Sequence, residues 1–166
     1  MNHYRICKYP TECRSNGIYY TDEWTSFSDV GRTFDGIVLT MSEYERVEKN
    51  YLSLLLRVWE ACGAQPFEVR GIEAYADEIP WKNGMRLDRT EIENICRNIL
   101  REKFWCRLDG EQMHVDFGYD FYMHIGCGLT MDEMQHMAAD YGLTVEEWYE
   151  EIFEEEGEER QCDAKN

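Results

Sequence analysis

A chain of 166 residues with 43% hydrophobic and 14% aromatic side chains has enough apolar surface for one domain around one core, which excludes a disordered polyelectrolyte. Its formal net charge of −17 at pH 7 sets 34 acidic against 17 basic side chains. That balance argues against binding the phosphates of nucleic acid or anionic lipid, which takes Lys and Arg. The charge is concentrated, because residues 108–159 hold 16 Asp and Glu side chains and no Lys or Arg.

The first element is a strand over Tyr4–Tyr9, an aromatic and β-branched run closed by Pro10. From Thr11 to Leu39 the sequence mixes Gly, Ser, Thr and Asp with isolated aromatics and shows no sustained period, so it reads as a long ordered loop with a short strand near Gly36–Leu39. Thr40-Met41-Ser42-Glu43 has the form of a capping box. Tyr44, Val47, Tyr51, Leu54, Leu55, Val58 and Cys62 follow at helical spacing up to Gly63, which marks the main core helix.

Pro66 to Tyr75 reads as a strand with a possible break at Gly71, and Asp88-Arg89-Thr90-Glu91 caps a second helix through Ile92, Ile95, Cys96, Ile99 and Leu100. Asp109-Gly110 is a tight-turn dipeptide between Phe104–Leu108 and a long second arm, Gln112–Ile125. That arm alternates without a break: Met113, Val115, Phe117, Tyr119, Phe121, Met123 and Ile125 against His114, Asp116, Asp120, Tyr122 and His124. Thr130-Met131-Asp132-Glu133 opens a short helix to Tyr141. Thr144-Val145-Glu146-Glu147 opens a terminal helix with Val145, Trp148, Tyr149, Ile152 and Phe153 on its buried stripe. The order predicts an α+β fold, a mixed or antiparallel sheet with helices packed against it, as a single domain over residues 1–157 and a polar tail over 158–166 that frays.

No catalytic or cofactor motif stands out. His114, Asp116, Tyr122 and His124 on one strand face read either as an acid/base or metal cluster or as the solvated outer face of an antiparallel sheet. His124-x-x-Cys127 with His136 lacks the further ligands a structural zinc needs, and Cys7 or Cys13 has only His3 as a local base. Seven cysteines, an odd number without a CxxC pair, and a start without a basic patch and long apolar run predict a reducing cytoplasm, with no membrane span.

Carboxylates at such density repel one another, and a cationic partner would relieve that repulsion on docking. The residues expected to meet it are Asp116, Asp120, Glu146, Glu147, Glu150, Glu151, Glu154 and Glu155. The loop adds Asp22, Glu23, Trp24 and Asp29, with Trp24 either an anchor on the core or an exposed apolar grip between acids.

The segments Tyr4-Arg5-Ile6, Asp22-Glu23-Trp24-Thr25-Ser26, Ser28-Asp29-Val30-Gly31 and Leu39-Thr40 to Tyr44 together resemble small acidic bacterial immunity proteins of polymorphic-toxin and contact-dependent growth-inhibition systems, over residues 4–60. The resemblance implies a non-enzymatic cytoplasmic protein, without cofactor, that neutralises a cognate toxin, often a nuclease with a basic cleft. Two rival expectations are a nucleic-acid mimic that blocks a DNA-binding defence protein, and a small metal protein or enzyme using the His114/Asp116/His124 face.

Overall fold

The computed structural model describes residues 1–15, 18–19, 22–74 and 78–149. Strand β1 (Asn2–Cys7) is followed by two small ribbons, β2 (Arg14–Ser15) with β3 (Ile18–Tyr19) and β4 (Thr33–Phe34) with β5 (Ile37–Val38). Then come α1 (Met41–Ala61), β6 (Phe67–Ala74), β7 (Arg86–Leu87), α2 (Arg89–Leu100), β8 (Phe104–Asp109), β9 (Met113–Phe117), β10 (Met123–Cys127), α3 (Met131–Ala139) and β11 (Thr144–Glu147). Seven strands form one sheet in the order β11-β1-β10-β9-β8-β6-β7, every neighbouring pair antiparallel, so the fold is α+β with three helices against the sheet.

The caps act where their sequences place them. The Thr40 hydroxyl accepts from the Glu43 amide, while Asp88 with Glu91 and Thr130 with Glu133 close full reciprocal boxes. Helix α1 buries Tyr44, Val47, Tyr51, Leu54, Leu55 and Val58, and the Tyr44 hydroxyl donates to the Leu100 carbonyl (2.9 Å), tying α1 to the end of α2. Glu48 is buried on the same helix, held by the Arg97 and Arg101 guanidiniums of α2. Opposite these helices the sheet contributes Ile6, Val69, Leu108, Val115, Met123 and Ile125 to the core.

Two expectations are corrected. The arm Gln112–Ile125 is not one strand: β9 and β10 pair with each other, Phe117 opposite Met123, through a turn over Gly118–Tyr122 closed by the Gly118 amide on the Tyr122 carbonyl. The turn has five residues, so partners in this register have the same parity and the alternation resumes in phase on β10, with only Tyr119 at the turn tip out of pattern. Thr144–Glu147 does not begin a helix but forms edge strand β11 on β1. Its Val145 is buried, the Thr144 hydroxyl donates to the Tyr9 carbonyl, and the Trp148 amide continues the ladder to the His3 carbonyl. Two β-branched residues and a waiting strand edge outweigh the local capping signal. Of the expected helical stripe, Ile152 and Phe153 lie outside the described residues, as do positions 158–166.

Candidate functional site

Strand register places four side chains in line across the sheet face away from the helices: Asp116 on β9, His124 on β10, Arg5 on β1 and Glu146 on β11. The His124 Nδ1 and an Asp116 carboxylate oxygen are 2.8 Å apart, and the Trp148 indole stacks on the imidazole at 4.6 Å with 12° between planes. The Arg5 guanidinium pairs with Glu146 and lies over the rings of Tyr122 (4.5 Å) and Trp148 (4.9 Å). Arg14 also pairs with Glu146, whose side chain is only 10% exposed. Along this row the Arg5 cation compensates Glu146, and the His124 imidazole stands within hydrogen-bond distance of Asp116.

In the next row β10 contributes Gly126, and the His114 ring lies over it to meet His3 at 5.0 Å. Burial, followed by the neighbouring His3, holds the His114 pKa below the usual histidine range. The space bounded by His3, His114, Asp116, His124 and Trp148 is about 20 Å³, room for one water rather than a substrate. Among the described residues no group of three or more His, Cys, Asp or Glu side chains is placed to hold a metal ion. Burial pushes the Cys127 thiol up to about 11 and Cys106 up to about 12, so both stay protonated at neutral pH.

The loop residues face inward more than a docking role requires. Trp24 is 6% exposed and meets Tyr44 and Phe121 edge to face or tilted, so it anchors the loop on the core and is not an exposed grip. Asp29 is buried, accepts from the Thr25 amide and pairs with Arg32. Glu23 pairs with Lys8 at 2.6 Å, and the Lys8 ammonium sits between the rings of Trp24 (4.1 Å) and Tyr9 (4.2 Å). Asp22 is exposed and accepts from the Asp35 amide. Sequence reasoning did not find Lys8, Arg5, Arg14, Trp148 or Gly126 in these clusters. The available signal for Arg5 was its parity in β1, which puts it on the face opposite Tyr4 and Ile6.

Among the described residues, exposed acids outside the ion pairs stand at both ends of the sheet and also on the N-terminal loop, as Asp22 and Asp35 do. At one end lie the β8–β9 turn with Glu111, the start of α3 with Asp132 and Glu133, and the end of β11 with Glu147, all exposed. The Asn2 side-chain amide and Tyr4 hydroxyl both donate to the Leu129 carbonyl there, and burial first, then Cys127 and the Glu147 and Glu133 carboxylates, raise the Tyr4 pKa. Hydrogen bonds from the Thr130 amide and hydroxyl hold the Glu133 carboxyl below the usual range, so it is charged at neutral pH. The β9–β10 turn at the other end carries exposed Asp120. Glu150, Glu151, Glu154 and Glu155 lie outside the described residues. Comparison with protein-family models, curated proteins and solved structures returns no match.

Proposed function

We propose that this protein is a non-enzymatic inhibitor of the immunity type, which binds a cationic toxin domain such as a nuclease with a phosphate-holding cleft. One observation carries the reading: the chain's cations are already spent on its own acids. At least eleven of the fifteen Lys and Arg side chains in residues 1–107 pair with carboxylates, among them Arg5, Arg14, Arg57, Arg97 and Arg101. Exposed acids outside these pairs, among them Glu111, Asp120, Asp132, Glu133 and Glu147, contribute to a net charge of −17, which sets the field that an approaching molecule meets. Asp116, Asp29, Glu23 and Glu146 orient and brace the fold within this reading and do not face the partner.

The test is coexpression with the toxin domain encoded beside this gene, followed by stopped-flow association of the purified pair. Protection of the host is expected, with an association rate that falls about tenfold or more between low and high salt. Absence of protection, or a rate indifferent to salt, removes the reading. Displacement by generic DNA from several unrelated DNA-binding proteins would favour the nucleic-acid mimic instead.

A further inference from the structure

Beside the β9–β10 turn lies a groove of about 780 Å³ built by the end of α2, the start of β8 and the turn itself, with Glu73 of β6 and the loop at Thr25 and Ser26 completing its wall. Its floor is apolar: Leu100, Phe104, Phe117 and Phe121 are buried there. Its aromatic sides are Trp105, whose indole N–H is fixed on the Phe117 carbonyl at 2.7 Å, and Tyr119, which is 93% exposed. Exposed Glu73, Glu102 and Asp120 stand around it, and no Lys, Arg or His is among the residues that line it. Arg101, next along the chain from Leu100, is held by Glu48 on α1.

The exposure of Tyr119 follows from the way the turn is anchored. Phe121 adopts a left-handed φ of 62°, unfavourable for a bulky residue, beside Asp120 at 56°. The Phe121 ring offsets that cost by packing edge to face against Trp24, Tyr44 and Tyr51, at 5.0–5.7 Å. With Phe121 pinned inward, the rest of the turn projects and Tyr119 has no core position to occupy.

We propose that this groove is the docking site for a segment of a protein partner that carries an arginine or lysine next to an apolar residue. Resting on the inhibitor reading above, this gives its partner an address. The apolar part of the segment fills the floor. The cation lies against Trp105 and Tyr119 within reach of Glu73, Glu102 and Asp120, where ring faces and carboxylates act together. The chain holds one of its own cations by the same chemistry, Lys8 between the rings of Tyr9 and Trp24 with Glu23 as counter-charge.

The probe is a capped six-residue peptide of alternating leucine and arginine, titrated into the full chain and followed by amide and indole NMR shifts. A second peptide has citrulline in place of arginine, which removes the charge and keeps the shape; the third probe is free spermidine. Saturable shifts are expected at the Trp105 indole and the Tyr119 and Asp120 amides, with the citrulline peptide about tenfold weaker or more. Tyr119→Ala and Asp120→Asn each weaken the arginine peptide; both leave the fold intact, since one side chain is in solvent and asparagine tolerates the left-handed backbone. Equal binding of the citrulline peptide, shifts confined to the Glu111–Glu133 end, or spermidine bound at these residues as tightly as the arginine peptide would overturn the proposal. A toxin domain bound equally by both variants overturns the groove alone. A chain that binds the peptide here but protects against no toxin domain keeps the groove and loses the inhibitor reading.

Discussion

Gly126 shows how one missing side chain shapes the polar face of the sheet. A Cβ built there would stand 2.0 Å from His114 Cε1 and 2.1 Å from its Nε2, so alanine must expel the ring from its place beside His3. Gly126→Ala is expected to cost about 1–3 kcal/mol, the range for forced repacking, in urea unfolding. In the double variant with His114→Ala most of that loss should return, because the atoms in conflict are gone; simple additivity would contradict the account. His114 also gives stability a pH dependence of definite sign. Its pKa in the folded protein lies below the ordinary 6.5, through burial first and His3 second, with Arg107 acting in the same direction and the Asp109 and Asp116 carboxylates opposing. The unfolded chain then takes the proton at higher pH than the folded chain. The contribution from His114 is complete above about pH 6.5 and is lost as the pH falls through that value toward the folded pKa. Replacing His114 with Asn should shrink the stability difference between about pH 7.5 and about pH 5.5, read from paired urea melts.

At the scale of the element, β11 is held to β1 by one acid that serves two arginines. Glu146→Gln keeps the size and removes the charge that compensates both Arg5 and Arg14. A cost of about 3 kcal/mol is expected, the low end for an interrupted buried pair because the Arg14 side chain is a third exposed. Hydrogen exchange should quicken at the Trp148 amide, which bonds the His3 carbonyl, more than in α1; uniform acceleration would mean that the pair acts on the whole fold and not on this edge. This strand was also where the sequence misled. Thr40, Asp88 and Thr130 cap helices as their spacing predicts, because an apolar stripe follows each and finds the core. Thr144 begins the same kind of pattern, yet the partner that decides its conformation is β1, distant in the chain and invisible to local spacing. The long alternation of the second hairpin arm was legible as to which side faces in, with Tyr119 at the turn tip excepted, and illegible as to where it turns, since a five-residue connection preserves parity. The site followed the same division. Which acids exist can be read from the chain, but which are spent depends on cations arriving from distant positions, as Arg5 and Lys8 do for Glu146 and Glu23.

For the whole molecule the governing quantity is the surplus of charge. With 34 acids against 17 bases, pairing every base still leaves half the carboxylates without a counter-charge. Added salt acts on this in two opposing ways. It weakens the exposed pairs, such as Arg46 with Glu43 and Arg89 with Glu60, each worth about 0–1 kcal/mol. It also screens repulsion among the unpaired acids, which involves many more charges and acts over distances comparable to a Debye length of about 10 Å at 0.1 M. The pairs that hold the fold, at Glu48 and Glu146, have carboxylates whose side chains are only 4% and 10% exposed and feel salt least. Repulsion should therefore win, and the melting temperature is expected to rise by about 3 °C or more between about 10 and about 300 mM sodium chloride, equivalent to roughly 1 kcal/mol for a chain of this length. The same addition should slow association with a cationic partner, since the field that strains the free protein is the field that draws the partner in. Opposite responses, stability up and association rate down, share one origin in the surplus carboxylates. A melting temperature that falls with salt would show that the exposed pairs outweigh the repulsion among the surplus acids in the folding balance.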